Sequence, residues 1–342
     1  MKANTSVPTK KPDNALNGPQ KFSLRSFILN YNAIIFLVVL FVVAVIASPT
    51  FLTPQNLNTV LRQQTTYIII AIGMLLVIIT GGIDLAAAAT VALSSILMAT
   101  AVTSWGMGVF GAIAVGMLVG VAVGAFNGLL VAQMRMPAFI VTLAFSYIGR
   151  GIAFIITKGN TIMMDGTDVY RKLVYPGFAS KAIPGINFPL MALVAVAAIV
   201  VFFLVMKYTK FGRLVYAVGS NESAVQLAGI NSKRVLFLVY LLEGILCALA
   251  GVLLTCRTGN ASALTADGDY SLSTIAAVVI GGASLAGGEG TVLMTVVGAF
   301  VIAIIGNIMN LVGMASYPQM VVKGGIIILA VLMKGISSKK RL

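Results

Sequence analysis

Hydrophobic runs recur along the whole of this chain, each of about 20 residues and long enough to cross an apolar layer ~30 Å thick. No other feature constrains the fold so tightly. The runs are continuous and lack a period-two alternation, so helices and not a barrel are the spanning form. Composition agrees: of 342 residues, 59% are hydrophobic and only 9% charged, and the mean hydropathy is +1.03. A water-soluble domain needs about 25% charged residues to cover its surface. The expected class is an all-α integral membrane bundle with broken or re-entrant helices.

About ten segments are expected, at 31–48, two within 67–104, then 108–133, 138–157, 188–206, 235–256, 272–286, 291–312 and 319–335. Six crossings is the rival count, if the short segments pair into re-entrant loops. Residues 1–30 are polar and carry Pro8, Pro12 and Pro19, and they read as a disordered cytoplasmic tail. The membrane domain then spans 31–336, with a cytoplasmic loop at 207–234 and a basic cytoplasmic tail at 337–342.

The formal charge of +14 follows from lysines and arginines beside the apolar runs, as the positive-inside rule expects. With ten crossings and both termini inside, fifteen of the 23 cations fall on inside segments and six outside, with Arg150 and Lys323 within apolar runs. No basic helix or aromatic platform points to nucleic acid. The chain has no histidine, which excludes imidazole metal sites and a His-based general base. Cys247 and Cys256 sit nine apart in one apolar run and read as small core residues, not a disulfide framework.

Two stretches are too short and too rich in glycine for plain spanning rods. One is 67–104, broken at Gly81-Gly82-Ile83-Asp84; the other is 272–312, broken at Gly281, Gly282, Gly287, Gly288 and Gly290. Irregular backbone at membrane depth persists only in protein or beside a watery cavity, and paired breaks point to a transport pathway. Ordinary surface loops are the alternative. Gly116, Gly120, Gly124 and Gly128 repeat every four residues, a ridge that lets helix backbones approach closely.

Ionisable groups inside apolar runs are costly. Glu243 is one, and a salt bridge to Arg150 or Lys323 is its economical structural solution. A proton relay through Glu243 or Asp84 is the functional alternative, which would make the chain a proton-coupled secondary transporter. In the loop 207–234, Asn221 or Ser220 can cap a short helix, with Glu222 and Ser223 in its first turn and Gly229 ending it. Ala224, Leu227 and Ala228 then form a small apolar face suited to docking a soluble partner. A plain surface helix would look similar. No G-x-x-x-x-G-K-[ST] motif is present, so the chain has no cradle for ATP phosphates.

From about residue 30 to 335 the chain resembles the ribose-type sugar permeases of bacterial ABC importers. The likeness rests on Ser48-Pro49-Thr50-Phe51-Leu52-Thr53, Val77 to Leu85, Phe126-Asn127-Gly128, Pro137 to Leu143 and Arg150-Gly151. It continues through Thr209 to Asn231, Ile275 to Gly282 and Ser284 to Gly288. The resemblance implies a non-catalytic helical permease of the bacterial inner membrane, paired with a second copy or a related chain. ATP and Mg would bind a separate cytoplasmic ATPase, and a periplasmic sugar-binding protein would deliver solute. It also implies that Ser220, Asn221, Glu222, Ala224, Leu227 and Gly229 couple to that ATPase. Gly82, Asp84, Asn127, Arg150, Glu243, Gly281 and Gly282 are the candidate pathway residues. Three stretches depart from the family pattern: Ala86-Ala87-Ala88-Ala89 stands where Ser-Val-Gly-Ser is usual, Gly219-Ser220-Asn221-Glu222 where Gly-Gly-Asn-Glu is usual, and Ser271-Leu272-Ser273-Thr274 where Glu-Leu-Asp is usual; the Glu243 position is also normally uncharged. The solute is therefore left open among pentoses, hexoses, polyols and furanose-like signals.

Overall fold

A computed structural model describes residues 32–175, 177–183, 188–267 and 269–339. The N-terminal tail expected at 1–30 and the last residues of the basic tail, 340–342, lie outside the described residues. From residue 33 onward the described residues form one compact unit. Its helices are α1 Asn32–Ala47, α2 Pro54–Ile79, α3 Ala87–Thr103, α4 Val109–Gly128 (continued by a wide turn, Leu129–Gln133), α5 Ala138–Thr157 and α6 Asp168–Leu173. They continue as α7 Leu190–Tyr208, α8 Lys210–Leu227, α9 Ser232–Thr258, α10 Tyr270–Ile280, α11 Val292–Leu311 and α12 Ser316–Lys339.

Among the described residues six helices (α2, α4 with its wide turn, α5, α7, α9 and α11) are long and apolar enough to cross a membrane, and α1 and α3 are shorter apolar helices. The bounds of these helices lie close to those expected, with two corrections, and six of the expected ten segments are long and apolar enough to span. The second helix begins at Pro54, not near residue 67. Its polar first half is helical because Thr53 caps it, accepting from the Asn56 amide at 3.4 Å, and proline fits the first turn. The eighth segment ends at Ile280 instead of 286, leaving eleven residues and roughly 16 Å of helix, too short to span.

The core is built on α2, whose second half is fully enclosed from Ile68 to Ile79, with α9 against it. The glycine ridge of α4 packs on α9. A Cβ at Gly120 would overlap the Gly244 carbonyl, one at Gly124 would sit 2.7 Å from the Tyr240 carbonyl, and one at Gly128 3.0 Å from that of Phe237. The outer helices instead expose large apolar side chains such as Val38, Phe110, Ile155, Val201 and Val321. Such a surface needs lipid or another apolar partner.

The loops group at two ends. At one, called upper here, Ile162–Met163 pairs antiparallel with Asn260–Ala261 and Arg62 donates to the Ser180 carbonyl at 2.6 Å. At the other, lower end lie Gly81, Arg135, the 210–231 segment and Gly287-Gly288. There the Gly288 amide donates to the Ile79 carbonyl at 2.8 Å, and Arg135 ion-pairs with Glu222.

Candidate functional site: two broken segments and a capped lower helix

The first break turns on Gly81, at φ +79, directly after α2. The chain then climbs back into the bundle before α3 begins, and Asp84 caps the approach to α3 by accepting from the Ala86 amide at 2.6 Å. The second break is the short α10, whose first residue, Tyr270, stacks on Tyr67 with ring centroids 4.8 Å apart. Tyr67 lies half-way along α2, so α10 starts deep within the bundle. The N-terminal ends of α3 and α10 meet there. Ser271 accepts from the Ala88 amide at 3.1 Å and donates to the Leu85 carbonyl at 3.2 Å. The stretches 86–89 and 271–274 therefore touch each other, which spacing alone did not reveal.

Below this junction lies a buried polar cluster. Asp84, Tyr240 and Glu243 form it, each 4% exposed or less, with Asp84 within electrostatic reach of both Tyr240 and Glu243; Asn127 on α4 is buried as well. A Cβ at Gly82 would overlap the Tyr240 hydroxyl. The Tyr240 hydroxyl, Asn127 Oδ1 and Glu243 Oε2 have no hydrogen-bond partner among the described residues. A cavity of about 210 Å³ opens beside Tyr240 toward the lower end, lined in part by Thr80, Gly82, Arg135 and Glu222.

The expected salt bridge of Glu243 does not form. Lys323 pairs with Asp269 at 2.5 Å, and Arg150 is exposed on α5, with its guanidinium 5.8 Å from the Phe154 ring centre. Cys247, one turn on from Glu243, meets the carboxyl instead, its thiol donating to Oε1 at 3.2 Å. Both cysteines are buried and unbridged. Gly281 and Gly282 also lie apart from the cluster. Gly281 abuts the Met294 carbonyl at the start of α11, and Gly282 adopts φ +93 in the turn below α10.

At the lower end the short helix forms as its residues dictate. Asn221 leaves helical geometry (φ −161, ψ 95) inside α8, and its Oδ1 accepts from the Ala224 amide at 2.9 Å. Gly229 ends the helix at φ +77. Its amide reaches the Gln226 carbonyl at 2.9 Å, and the Ile230 amide reaches that of Val225 at 3.2 Å, the paired bonds of a Schellman stop. Leu227 is 91% exposed, with Ala224 and Ala228 also exposed. Glu222 faces inward to Arg135, to Ser232 at 2.7 Å and to Gln226 at 2.9 Å. Burial pushes its carboxyl up, but the hydrogen bonds from Ser232 and Arg135, the Arg135 charge and the Gln226 amide outweigh it and hold it below the ordinary range. Arg135 and Tyr240 were not singled out from sequence; a cation just after a long apolar run was the available signal for the first.

Together, apolar spans, two interrupted helices with buried ends and an exposed capped knob define a polytopic permease. Residues 56–331 match the profile of the branched-chain amino acid transport system / permease component family. The chain is 40% identical over 297 residues to the ribose import permease protein of Bacillus subtilis (strain 168), covering 87% of this chain and 90% of that one. It is 36% identical over 315 residues to the ribose import permease protein of Escherichia coli (strain K12), covering 92% and 96%. It is 35% identical over 294 residues to an L-arabinose ABC transporter permease protein of Azospirillum brasilense, covering 86% and 84%. No solved structure matches the chain. The chain belongs to the ribose-type permease family, the membrane subunits of ABC importers, as the resemblance implied.

Proposed function

We propose that this chain carries a ribose-like monosaccharide inward by alternating access, powered by a separate ATPase that docks on the 222–228 helix. Two copies pair around the path, and a periplasmic binding protein hands over the solute. The chain lies in the bacterial inner membrane with ten membrane segments and both termini cytoplasmic, which puts the lower end inside. The single observation that carries this reading is the capped knob between Asn221 and Gly229. Its apolar tip Leu227 points to solvent, while Glu222 at its base is fastened to two other elements. An isolated surface helix has no need of that anchoring.

The solute class comes from the relatives, two of them named for ribose and one for L-arabinose. The Ser271–Ala88 contact is where this chain would differ from them in solute. Reconstitution into liposomes tests the function. Uptake of labelled monosaccharide should require the ATPase, ATP and the binding protein together. Accumulation by the chain alone under a proton gradient would replace this reading with the secondary transporter.

A further inference from the structure

The last turn of α8 before its Asn221 cap touches both broken segments at once, backbone against backbone. A Cβ on Gly219 would overlap the Ile79 carbonyl oxygen, the last residue of α2 before the Gly81 break. On the other side, a Cβ at Gly287 would lie 2.7 Å from the Gly219 carbonyl, and one at Gly288 2.6 Å from Ser220 Oγ. The Gly288 amide closes the triangle by donating to that same Ile79 carbonyl at 2.8 Å. One turn earlier, the Tyr216 hydroxyl donates to the Gly290 carbonyl at 2.7 Å.

We infer that this Gly219–Ser220 step is the rigid joint that passes movement of the docked 222–228 helix to the 79–82 and 286–290 breaks. Gly219, Gly287, Gly288 and Tyr216 are its positioning residues. The physical reason is stiffness. Backbones in direct contact leave no side chain to change rotamer and absorb a displacement, and close-packed interiors transmit strain instead of damping it. Gly287 and Gly288 also sit at φ +89 and +76, a left-handed geometry that other residues adopt at a cost. Neither Tyr216 nor Gly219 belongs to the exposed face of the knob, so docking and transmission are separable. This inference rests on the reading of that knob as an ATPase-docking surface.

The test compares wild type, Tyr216→Phe and Gly219→Ala, each reconstituted with the ATPase and binding protein, and reads ATPase co-purification, ATP hydrolysis and solute uptake. Both variants should retain the ATPase and hydrolyse ATP. Uptake per ATP should fall about fivefold for Tyr216→Phe, the effect of one hydrogen bond, and further for Gly219→Ala. Should Gly219→Ala fail to fold, Tyr216→Phe decides the matter alone. An unchanged ratio of uptake to hydrolysis in Tyr216→Phe overturns the joint, as does loss of ATPase binding by that variant. Failure of the wild-type chain to bind the ATPase overturns the docking reading and the joint with it.

Discussion

The carboxyl of Glu243 occupies the space that a side chain at Gly73 would need: a Cβ built on Gly73 would overlap Glu243 Oε2. Both residues are wholly enclosed between α2 and α9. The absence of a side chain at 73 is thus what allows an acid at 243. Gly73→Ala should destabilise the solubilised protein by about 1–3 kcal/mol, the usual cost of overpacking. Combining it with Glu243→Ala should recover much of that loss, because the added methyl group then has room. Thermal unfolding of the single and double variants measures this, and strictly additive effects would contradict the packing.

The knob should weaken when either end loses its cap. Asn221→Ala removes the side-chain acceptor for the Ala224 amide, a loss of about 1 kcal/mol. Gly229→Ala forces a Cβ onto a left-handed residue at about 1–2 kcal/mol, although the space around it is open. Both variants should insert normally yet retain several-fold less ATPase in pull-down assays. Wild-type retention by both would remove the knob from the docking surface.

Acid should open the clamp beneath the same helix. Glu222 is held below its ordinary value of 4.5, so its contribution to the folded arrangement is present at neutral pH and is lost as pH falls through that lowered value. A spin label on Leu227→Cys, a position already exposed, should gain mobility as pH falls from 7 through that lowered Glu222 value. With Arg135→Ala the label should already be mobile at pH 7. Equal mobility with and without Arg135 at pH 7 would show that the ion pair does not hold the helix.

These features differ in how far the sequence revealed them, and the difference is physical. Capping is local chemistry among residues three to eight apart, so Asn221 and Gly229 were readable without a structure. So was the break at Gly81, because glycine and an acid interrupt an otherwise unbroken apolar run. The start of α2 at Pro54 was hidden because apolar content reports burial in lipid, not helix length. The partner of Glu243 was misread for another reason. Charge alone suggested Arg150 or Lys323, but Lys323 reaches Asp269 and Arg150 is exposed on α5, and position in space, not charge, decides pairing. The Gly219–Ile79 contact joins residues 140 apart in the chain, and nothing in either local sequence marks it.

Orientation is the remaining expectation that one experiment can decide. The upper loops converge where 162–163 pairs with 260–261, and the lower ones where Tyr216 meets Gly290. These contacts set positions 165 and 215 at opposite ends of the bundle. Flanking cations give the sign, because Lys207, Lys210, Arg213, Lys233 and Arg234 crowd the lower loop and such clusters stay cytoplasmic. An alkaline phosphatase fusion after residue 165 should therefore be active and a green-fluorescent fusion there dark, with the reverse after residue 215. Matching behaviour at the two positions would be incompatible with the odd number of crossings between them. A reversed pattern would put the knob outside, beyond the reach of any cytoplasmic ATPase.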